Sequence, residues 1–538
     1  TAQTRAMASV RLFFQGCFPE DRQIDDGSSS DEIEDNLTKT PPQDCGGGDR
    51  MSVRQWVGLL LAVATLVCFC TFKSGLTQAQ HRTLGVLIFT AIMWICEVIP
   101  IPLMGMIVGP LLFLLNVCKL GHTLSAYFSN VTLVLLGSSF ISIAMERHGL
   151  DARFAHALTT SSVVNSNPAL LRLAMMLTAC VMSMWVTNTG TAYILTPIMM
   201  KSYDAEHQKQ LDDPFERRAL MGSLLCVAYA CNAGGMGTLV GTGSNLVAAQ
   251  LLRDTGIDVG FLQWMVVGVP AAFGIVGICY VTLYFCYKPL LEPGKGELLP
   301  EVQRVCQPFV LKPWSFAEKV VAGSFLFTTV LWVFPAFYRL ANGKGHDLID
   351  HKLLAGVSVL IGTLPMLLIP EPGGQRVLPW SAAKNADWGI LMLVGGGLAL
   401  GAQMRESGLA DVIADKLVSS TGISDVWLLT FAATLLTIFA TEITSNTATT
   451  SMMVPVVMAA SQSIDADPVA AVAPTLGVAL GASCAFMLPI ATPPNYIVKE
   501  TGHVQFGEMA KTGFVINLIC CLLVWVILRT LVPVVWHA

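Results

Sequence analysis

Two short polar strings, each inside a long apolar tract, carry the side chains that could do chemistry. They are Thr-Asn-Thr at 187–189 and Ser-Asn-Thr at 445–447, and both combine hydroxyl and amide oxygens with N–H donors. Such groups are costly in hydrocarbon unless they are satisfied or reach a watery site. A proline follows each string at the same distance, and a glycine precedes each at the same distance. One string alone would suggest hydrogen bonds between helices, but two in register predict one binding site built from two halves of a duplicated membrane protein.

Two further strings accompany them, Gly-Thr-Gly-Ser-Asn at 241–245 and Ala-Thr-Pro-Pro-Asn at 491–495. Glycine permits unusual backbone conformations, and Pro493 and Pro494 cannot continue a helix, so we expect broken helices here. Helix ends inside a membrane offer N–H groups to carboxylate or sulfate oxygens, and unwound carbonyls suit Na⁺. No Lys or Arg falls inside the four strings. The charge of a bound anion must then be offset by helix ends and co-bound cations, which indicates cation coupling.

Long apolar segments hold these strings in place. The chain has 538 residues, of which 53% are hydrophobic and 13% charged, against about 25% charged in an ordinary soluble domain. We predict an all-α polytopic membrane protein with about 11 transmembrane helices plus two re-entrant helical hairpins. The predicted spans are 55–72, 83–98, 101–117, 130–146, 218–240, 263–287, 316–338, 353–370, 388–404, 470–490 and 512–533. The predicted hairpins are 170–200 and 426–461, with a continuous tilted helix as the alternative for each.

The order of these segments predicts two inverted repeats, 83–287 and 316–535. Each repeat holds an odd number of full crossings plus a hairpin that does not cross. The two halves must therefore run through the membrane in opposite directions, as in secondary transporters. The two Asn-centred tips would then meet from opposite sides.

Outside the repeats we predict a disordered acidic cytoplasmic tail at 1–50, a first transmembrane helix at 51–82 and a cytoplasmic loop at 288–315. Lys and Arg are richer in the loops on the side of the tail, so the C-terminus is expected outside. A plasma membrane is the expected location, with an endomembrane or organelle membrane left open. Glu97 and Glu442 lie deep in apolar sequence. Glu97 is either functional or near water at a span end, and Glu442 is expected to support the second hairpin.

Two strings in the second half are similar to the pattern of the divalent anion/sodium symporter family. They are Thr-Glu-Ile-Thr-Ser-Asn-Thr-Ala-Thr-Thr at 441–450 and Phe-Met-Leu-Pro-Ile-Ala-Thr-Pro-Pro-Asn at 486–495, and the resemblance extends over residues 51–535. It implies transport of dicarboxylates, tricarboxylates or sulfate. It also implies a homodimer with a scaffold domain at the interface and a mobile transport domain, moving by elevator-type alternating access.

The resemblance implies roles for individual residues. The first sodium site would use Ser183, Thr187, Asn188 and the region of Gly241. The second sodium site would use Thr441, Thr444, Asn446 and the region of Ala491. The substrate would lie between Asn188, Thr189, Thr242, Asn446, Thr447 and Pro493. The first half departs from the family pattern, with Thr187 for the usual Ser, Asn232 where Ser is frequent and Ser244 for the usual Pro, so selectivity should be sought there.

These observations predict a secondary active transporter, a sodium-coupled symporter of C4-dicarboxylates (succinate, malate, fumarate) with citrate as a further candidate. A sodium-independent dicarboxylate exchanger and a sulfate transporter of the same fold are the alternatives. An enzyme is not expected, because the chain lacks metalloprotease, Gly-x-Ser-x-Gly and phosphate-loop patterns. The expected partners are a small dicarboxylate or other divalent anion, Na⁺, the lipid bilayer and a second copy of the chain, with no nucleic acid. No cofactor is expected other than co-transported Na⁺.

Overall fold

The computed structural model describes residues 51–71, 75–151, 153, 168–204, 214–288, 313–342 and 354–536. The described helices belong to one compact unit, Val53–Ala538. The predicted tail at 1–50 and most of the predicted loop at 288–315 lie outside the described residues. Across the described ranges the chain forms helices and no strand, which confirms the predicted all-α class.

The α-helices are numbered in chain order. They are α1 Val53–Thr71, α2 Gln78–Ile95, α3 Ile101–Leu114, α4 Leu120–Ser125, α5 Asn130–Arg147, α6 Pro168–Ser183, α7 Asn188–Asp204, α8 Pro214–Gly235, α9 Gly243–Arg253, α10 Phe261–Cys286, α11 Phe316–Asn342, α12 Ala355–Leu368, α13 Trp380–Ala383, α14 Trp388–Glu406, α15 Leu409–Thr421, α16 Val426–Ala440, α17 Asn446–Ile464, α18 Val472–Gly481, α19 Pro493–Glu500 and α20 Phe506–Trp536.

Several described helices are long and apolar enough to cross a membrane. Five meet this test by length and composition: Val53–Thr71, Leu120–Arg147, Phe261–Cys286, Phe316–Tyr338 and Phe506–Trp536. A sixth is added if α15 and α16, which are bent by 102°, count as one span. Other apolar helices have only 10–17 residues, or are interrupted, so the predicted number of about 11 spans stays a prediction.

Local sequence explains where many helices begin and end. α2 begins with a capping box, in which Thr77 and Gln80 each bond the backbone N–H of the other. Asp425 caps α16 by accepting from the Leu428 N–H at 2.8 Å. Gly408 and Gly422 follow α14 and α15, and both have φ of +69°, a conformation that glycine adopts without strain.

Each predicted hairpin segment contains two helices with a break between them. In the first segment α6 packs against α7 across a break at 184–187, and in the second α16 packs against α17 across a break at 441–445. Two predicted spans, 218–240 and 470–490, also end in breaks, because α8 ends at Gly235 and α18 ends at Gly481. The first is broken between α8 and α9, and the second between α18 and α19. Four helices, α7, α9, α17 and α19, therefore begin inside apolar regions.

The described helices pack in two groups, which meet mainly where α14 packs against α17 and α9, and also where α10 packs against α11. One group contains α1, α2, α3, α5, α11, α12 and α14, and the other contains α6–α10 and α16–α20. The glycines that precede the two polar strings allow close crossings. A Cβ on Gly137 would lie 2.5 Å from Val359 Cγ1, and a Cβ on Gly395 would lie 2.5 Å from Tyr127 Cδ1. Both glycines therefore hold neighbouring elements closer than any larger residue permits.

A buried arginine fastens the first helix of the first hairpin. Arg172 in α6 is 2% exposed and donates to Ser223 Oγ at 2.7 Å, to the Ala219 carbonyl at 2.5 Å and to the Tyr287 carbonyl. These partners come from α8 and from the end of α10. Since a guanidinium presents several donors in a fixed plane, one side chain ties three segments together.

Candidate functional site

The first hairpin tip is bonded to the first broken helix through one hydroxyl. Ser183, the last residue of α6, is fully buried. Its Oγ donates to Asn188 Oδ1 at 2.5 Å and lies 2.8 Å from the Cys231 carbonyl oxygen in α8. Asn188 is the first residue of α7, so the polar string begins a helix and does not fill a loop.

The second hairpin tip repeats this arrangement. Thr441 follows α16 and is also fully buried. Its Oγ1 donates to Asn446 Oδ1 at 2.6 Å and lies 3.0 Å from the Ala482 carbonyl oxygen, next to the end of α18. Asn446 is the first residue of α17.

We call these groups the first oxygen cluster (Ser183 Oγ, Asn188 Oδ1, Cys231 O) and the second oxygen cluster (Thr441 Oγ1, Asn446 Oδ1, Ala482 O). A hydroxyl has only one hydrogen, so the three oxygens of each cluster share one proton. In each cluster the hydroxyl oxygen lies 2.5–3.0 Å from both other oxygens, so one of its two contacts has no hydrogen and brings lone pairs together. A hard cation such as Na⁺ takes oxygen ligands of these types at unwound helices and would relieve this repulsion.

An asparagine fixes the backbone of each broken helix. Asn245 Nδ2 in α9 donates to the carbonyls ten and seven residues before it, at 2.9 and 2.7 Å. Asn495 Nδ2 in α19 donates to the carbonyls ten and seven residues before it, at 2.8 and 3.0 Å. Both asparagines are fully buried. The two breaks are therefore held by the same contacts at the same spacing.

The helices after the breaks begin alike but offer different donors. Thr242 and Thr492 precede α9 and α19 with extended backbones (φ −151°, ψ 150° and φ −144°, ψ 151°), and neither side chain caps its helix. α9 starts with Gly-Ser-Asn, which has three backbone N–H groups, whereas α19 starts with Pro493 and Pro494, which have none. An anion would therefore find main-chain donors mainly at α9.

The prolines correct one expectation. We expected Pro493 and Pro494 to break the span at the following Asn. Instead they occupy the first turn of α19, and the break lies before them, at 482–492. Proline suits this position because a first-turn residue has no N–H partner in its own helix and needs the φ angle that proline has.

Two buried hydrogen bonds connect the broken helices of the two halves. Asn232 Nδ2 in α8 donates to Asn495 Oδ1 at 3.0 Å, and both residues are at most 1% exposed. Tyr229, also in α8, donates its hydroxyl to the Phe486 carbonyl at 2.7 Å. The segment that bounds the first oxygen cluster is thus bonded to the segment that bounds the second.

Each hairpin tip is also joined to its own break. Glu442 is buried, and its carboxylate accepts from the backbone N–H groups of Met487 and Leu488 at 2.8 and 2.9 Å and from Asn517 Nδ2 at 2.8 Å. Glu442 therefore supports the second tip. In the first half the Thr238 hydroxyl donates to the Met184 carbonyl at 2.6 Å. Glu97, by contrast, is exposed just after α2 with φ of +48°.

The remaining predicted site residues lie around these contacts. Thr187 accepts from the Gly190 N–H at 3.1 Å, and Gly241 lies against the Gly235 carbonyl. The Thr444 hydroxyl is bonded to the Ala440 carbonyl and to Thr449 within its own hairpin, and Ala491 N–H donates to the Leu488 carbonyl at 3.2 Å. Thr189 and Thr242 are half-buried, and Pro493 is exposed on α19, which packs against α7.

The structure brings some predicted residues together directly and leaves others apart. Ser183 meets Asn188, and Thr441 meets Asn446. Thr447 meets the start of α9, where a Cβ on Gly243 would lie 2.9 Å from Thr447 Oγ1. Within the described chain no hydrogen bond joins the two tip asparagines to each other. The tips are connected by packing instead, because α9 contacts α17 and α19 contacts α7.

Sequence reasoning missed several residues that shape this region. The carbonyls of Cys231 and Ala482 complete the oxygen clusters, but a main-chain carbonyl leaves no signal in residue types. Asn245 and Asn495 close the two strings after the breaks, and their matching positions were the signal that could have identified them. The contact of Asn232 with Asn495 could not be found from the repeat, because the second half contains no matching residue pattern.

Comparison with known proteins places this geometry in context. The family model described as "Sodium:sulfate symporter transmembrane region" matches residues 53–536. A relative from Staphylococcus aureus strain USA300, named the sodium-dependent dicarboxylate transporter SdcS, is 30% identical over 486 residues, which cover 89% of this chain and 91% of the relative. The corresponding protein of strain N315 matches to the same extent.

Two solved structures have a similar fold at low sequence identity. The YdaH transporter of Alcanivorax borkumensis has a TM-score of 0.51 at 13% identity and covers 90% of this chain and 97% of its own. MtrF of Neisseria gonorrhoeae, described among antimetabolite efflux pumps, has a TM-score of 0.54 at 13% identity and covers 89% and 95%. At this identity the likeness concerns the fold alone.

Proposed function

This chain belongs to the sodium:sulfate symporter family, and from that premise we propose that it couples Na⁺ to the symport of C4-dicarboxylates such as succinate, malate and fumarate. As a member of this family it is a multi-pass transporter of the plasma membrane and not an enzyme. The staphylococcal relative is named a sodium-dependent dicarboxylate transporter, which supports both sodium coupling and the dicarboxylate class. Citrate is a further candidate substrate.

The observation that carries the proposal is the pair of oxygen clusters. Each cluster combines a buried hydroxyl, the side-chain amide oxygen of the asparagine that begins a helix, and a main-chain carbonyl beside a broken helix. Three oxygens that share one proton are poorly stabilised by hydrogen bonds alone. Two such clusters, one in each half, provide two places where Na⁺ would be stabilised. The proposed ligands are those predicted from the sequence, extended by the carbonyls of Cys231 and Ala482.

Charge balance favours an anion that travels with the cations. The strings around the tips contain no Lys or Arg, so a dicarboxylate would depend on helix N-termini and bound Na⁺ for compensation. We assign its contacts to Asn188 and Thr189 at one tip and to Asn446 and Thr447 at the other, with Thr242 and Pro493 at the starts of α9 and α19. Without Na⁺ the negative carboxylates would face oxygen atoms that carry partial negative charge. Binding of the anion and of Na⁺ should therefore be coupled.

We further propose that transport occurs by an elevator-type movement in a homodimer. The group that contains α6–α10 and α16–α20 holds both tips and both broken helices, so it can move as the carrier of the site. The other group, which includes α11 and α12, would provide the fixed part and the dimer contact. Movement of one group past the other exposes a single site alternately to the two sides.

The test measures succinate uptake into vesicles that contain the purified protein, with Na⁺ outside and with choline in its place. Saturable uptake that collapses in choline is expected, and equal uptake in both solutions would refute sodium coupling. Vesicles preloaded with malate identify an exchanger, because only an exchanger requires the internal anion. Competition by sulfate identifies a sulfate transporter, because a dicarboxylate site should discriminate against it.

A further inference from the structure

The last helix carries an exposed arginine at the end of its uncharged stretch. Arg529 lies in α20, and residues 512–528 before it contain no charged side chain. The helical rise from Lys511 to Arg529 is about 27 Å, close to the ~30 Å thickness of the hydrocarbon core of a bilayer. Both residues are exposed. The two cations therefore mark the levels at which α20 enters and leaves the hydrocarbon.

The start of α16 lies at the same level as Arg529. Trp427, in the first turn of α16, places its ring 5.8 Å from the guanidinium carbon of Arg529. Ser424 and Asp425, just before that turn, are polar and exposed. The chain also bends by 102° between α15 and α16, so α15 runs across the direction of α16. These features place Arg529 at the boundary between membrane and water, where tryptophan is frequent.

Two indole rings hold the guanidinium group, and we call Arg529, Trp427 and Trp525 the arginine clamp. The Arg529 guanidinium carbon lies 5.3 Å from the Trp525 ring, and Trp525 Nε1 donates to the Trp427 carbonyl at 2.8 Å. Within the described chain Arg529 forms no hydrogen bond and no ion pair. The carboxylate of Asp425 accepts from the Leu428 N–H instead. The rings therefore orient a cation whose N–H donors are unused.

An apolar stripe on α20 leads to the clamp. Ile519, Leu522 and Val526 are exposed, and with Arg529 they follow each other at intervals of three, four and three residues. This spacing puts all four on one face of the helix. The rise from Ile519 to Arg529 is about 15 Å, which is half of the ~30 Å hydrocarbon core. The stripe is thus as long as one leaflet and ends at a cation.

We propose that the arginine clamp and the stripe bind one anionic phospholipid. The phosphate oxygens accept from the Arg529 guanidinium, which matches phosphate with two parallel N–H groups, and one acyl chain lies along the stripe. An unpaired guanidinium favours a headgroup of net negative charge over one whose own ammonium compensates the phosphate. α16 and α20 belong to the same group of helices, so the lipid moves with that group. The site shares no residue with the oxygen clusters and does not depend on sodium-coupled transport.

The experiment titrates the purified full-length protein in detergent with phosphatidylglycerol, and native mass spectrometry counts the bound lipids. One saturable lipid per chain is expected. Arg529→Gln removes the cation and should weaken its binding about fivefold or more. Trp427→Leu keeps the cation but removes one ring, and it should weaken binding roughly two- to fivefold. The unfolding temperature of each variant without lipid verifies that the protein is folded.

Lys511→Gln is the matched control, because it removes an exposed cation from the other end of the same helix. Lys511 makes no ring contact within the described chain, so lipid binding should change less than about twofold. Equal losses in Lys511→Gln and Arg529→Gln would overturn the proposal, as would parent-like binding in Arg529→Gln or no saturable lipid in the parent.

Two further ligands test which chemistry the site recognises. Phosphatidylcholine should bind more weakly than phosphatidylglycerol, and equal affinity would overturn the assignment to an anionic lipid. Glycerol 3-phosphate carries the phosphate without acyl chains and should not compete at equal concentration. Competition as strong as that of the lipid would assign the clamp to a soluble phosphate ester and overturn the proposal. Succinate uptake that is independent of Na⁺ would refute the transport proposal alone and leave lipid binding as expected.

Discussion

Thr441→Val removes one hydroxyl from the second oxygen cluster and keeps the shape of the side chain. Thr441 is fully buried, and its Oγ1 lies 2.6 Å from Asn446 Oδ1 and 3.0 Å from the Ala482 carbonyl. The valine leaves both oxygens without the shared proton and deletes one proposed ligand of Na⁺. The matched control is Thr437→Val, one turn earlier. The Thr437 hydroxyl is also buried but donates only to the Ala433 carbonyl within its own helix, at 2.7 Å.

The expected magnitude follows from these contacts. The weaker binding comes from the lost contact between the hydroxyl oxygen and the bound cation, and losing one contact of a charged or buried polar group costs about 1–3 kcal/mol. An energy of about 1–3 kcal/mol corresponds to a change of roughly 5- to 150-fold in an equilibrium constant. We therefore expect the Na⁺ concentration for half-maximal transport to rise by that factor in Thr441→Val. In Thr437→Val it should change less than about twofold, because an intrahelical hydroxyl bond contributes little and touches no proposed ligand.

Two assays separate cation binding from transport. One follows succinate uptake into vesicles as external Na⁺ is varied against choline at constant ionic strength. The other follows the thermal unfolding temperature of the purified protein over the same Na⁺ range without substrate, since an ion that binds only the folded state raises it. Both curves should shift to higher Na⁺ for Thr441→Val. If the curves of the two variants superimpose, the second oxygen cluster does not bind Na⁺ and the reasoning fails.

Three further substitutions test the buried network around the site. Asn232→Ser should lower stability by about 1–3 kcal/mol because it leaves the oxygen of Asn495 without its donor; chemical denaturation measures this, and an unchanged midpoint would contradict the cross-contact between halves. Glu442→Gln should destabilise the second tip by about 1–3 kcal/mol, since an amide group cannot accept all three hydrogen bonds of the carboxylate. The maximal rate of succinate uptake should fall. Full uptake together with full stability would argue against support of the tip by this residue. Arg172→Lys should cost about 3 kcal/mol or more because an ammonium cannot reach the three partners of the buried guanidinium. The unfolding temperature should drop markedly, whereas Arg376→Lys, exposed in the segment between α12 and α13, should change it little.

The hairpin tips could be predicted from the sequence because their pattern occurs twice. Each tip interrupts an apolar tract with the same residue types at the same distance from a proline and a glycine. Residue types and spacings can be recognised without knowing any contact. The all-helical class follows in the same way from composition. The partners of the tips could not be inferred, because Cys231 and Ala482 contribute only their main-chain carbonyls.

Other features depend on long-range contacts that residue types do not encode. Pro493 and Pro494 forbid a helix interior but favour a helix start, and only the packed structure decides between the two. Arg172 is a single charge in an apolar segment, and its three partners lie on elements distant in the chain. The predicted spans 218–240 and 470–490 continue past the ends of α8 and α18 because hydropathy changes little there. The strings at 241–245 and 491–495 indicated that breaks occur but not where they begin.

The two prolines at the start of α19 also determine what isotope exchange can detect. Backbone amide hydrogens exchange with deuterated solvent, and a bound anion that accepts from them slows the exchange. The first three residues of α9 each carry such a hydrogen, whereas the first two of α19 carry none. Deuterium labelling should therefore register an anion at the start of α9 and give almost no signal at the start of α19. The two halves, which share the same carbonyl contacts, would therefore differ in the exchange protection that a bound anion gives them.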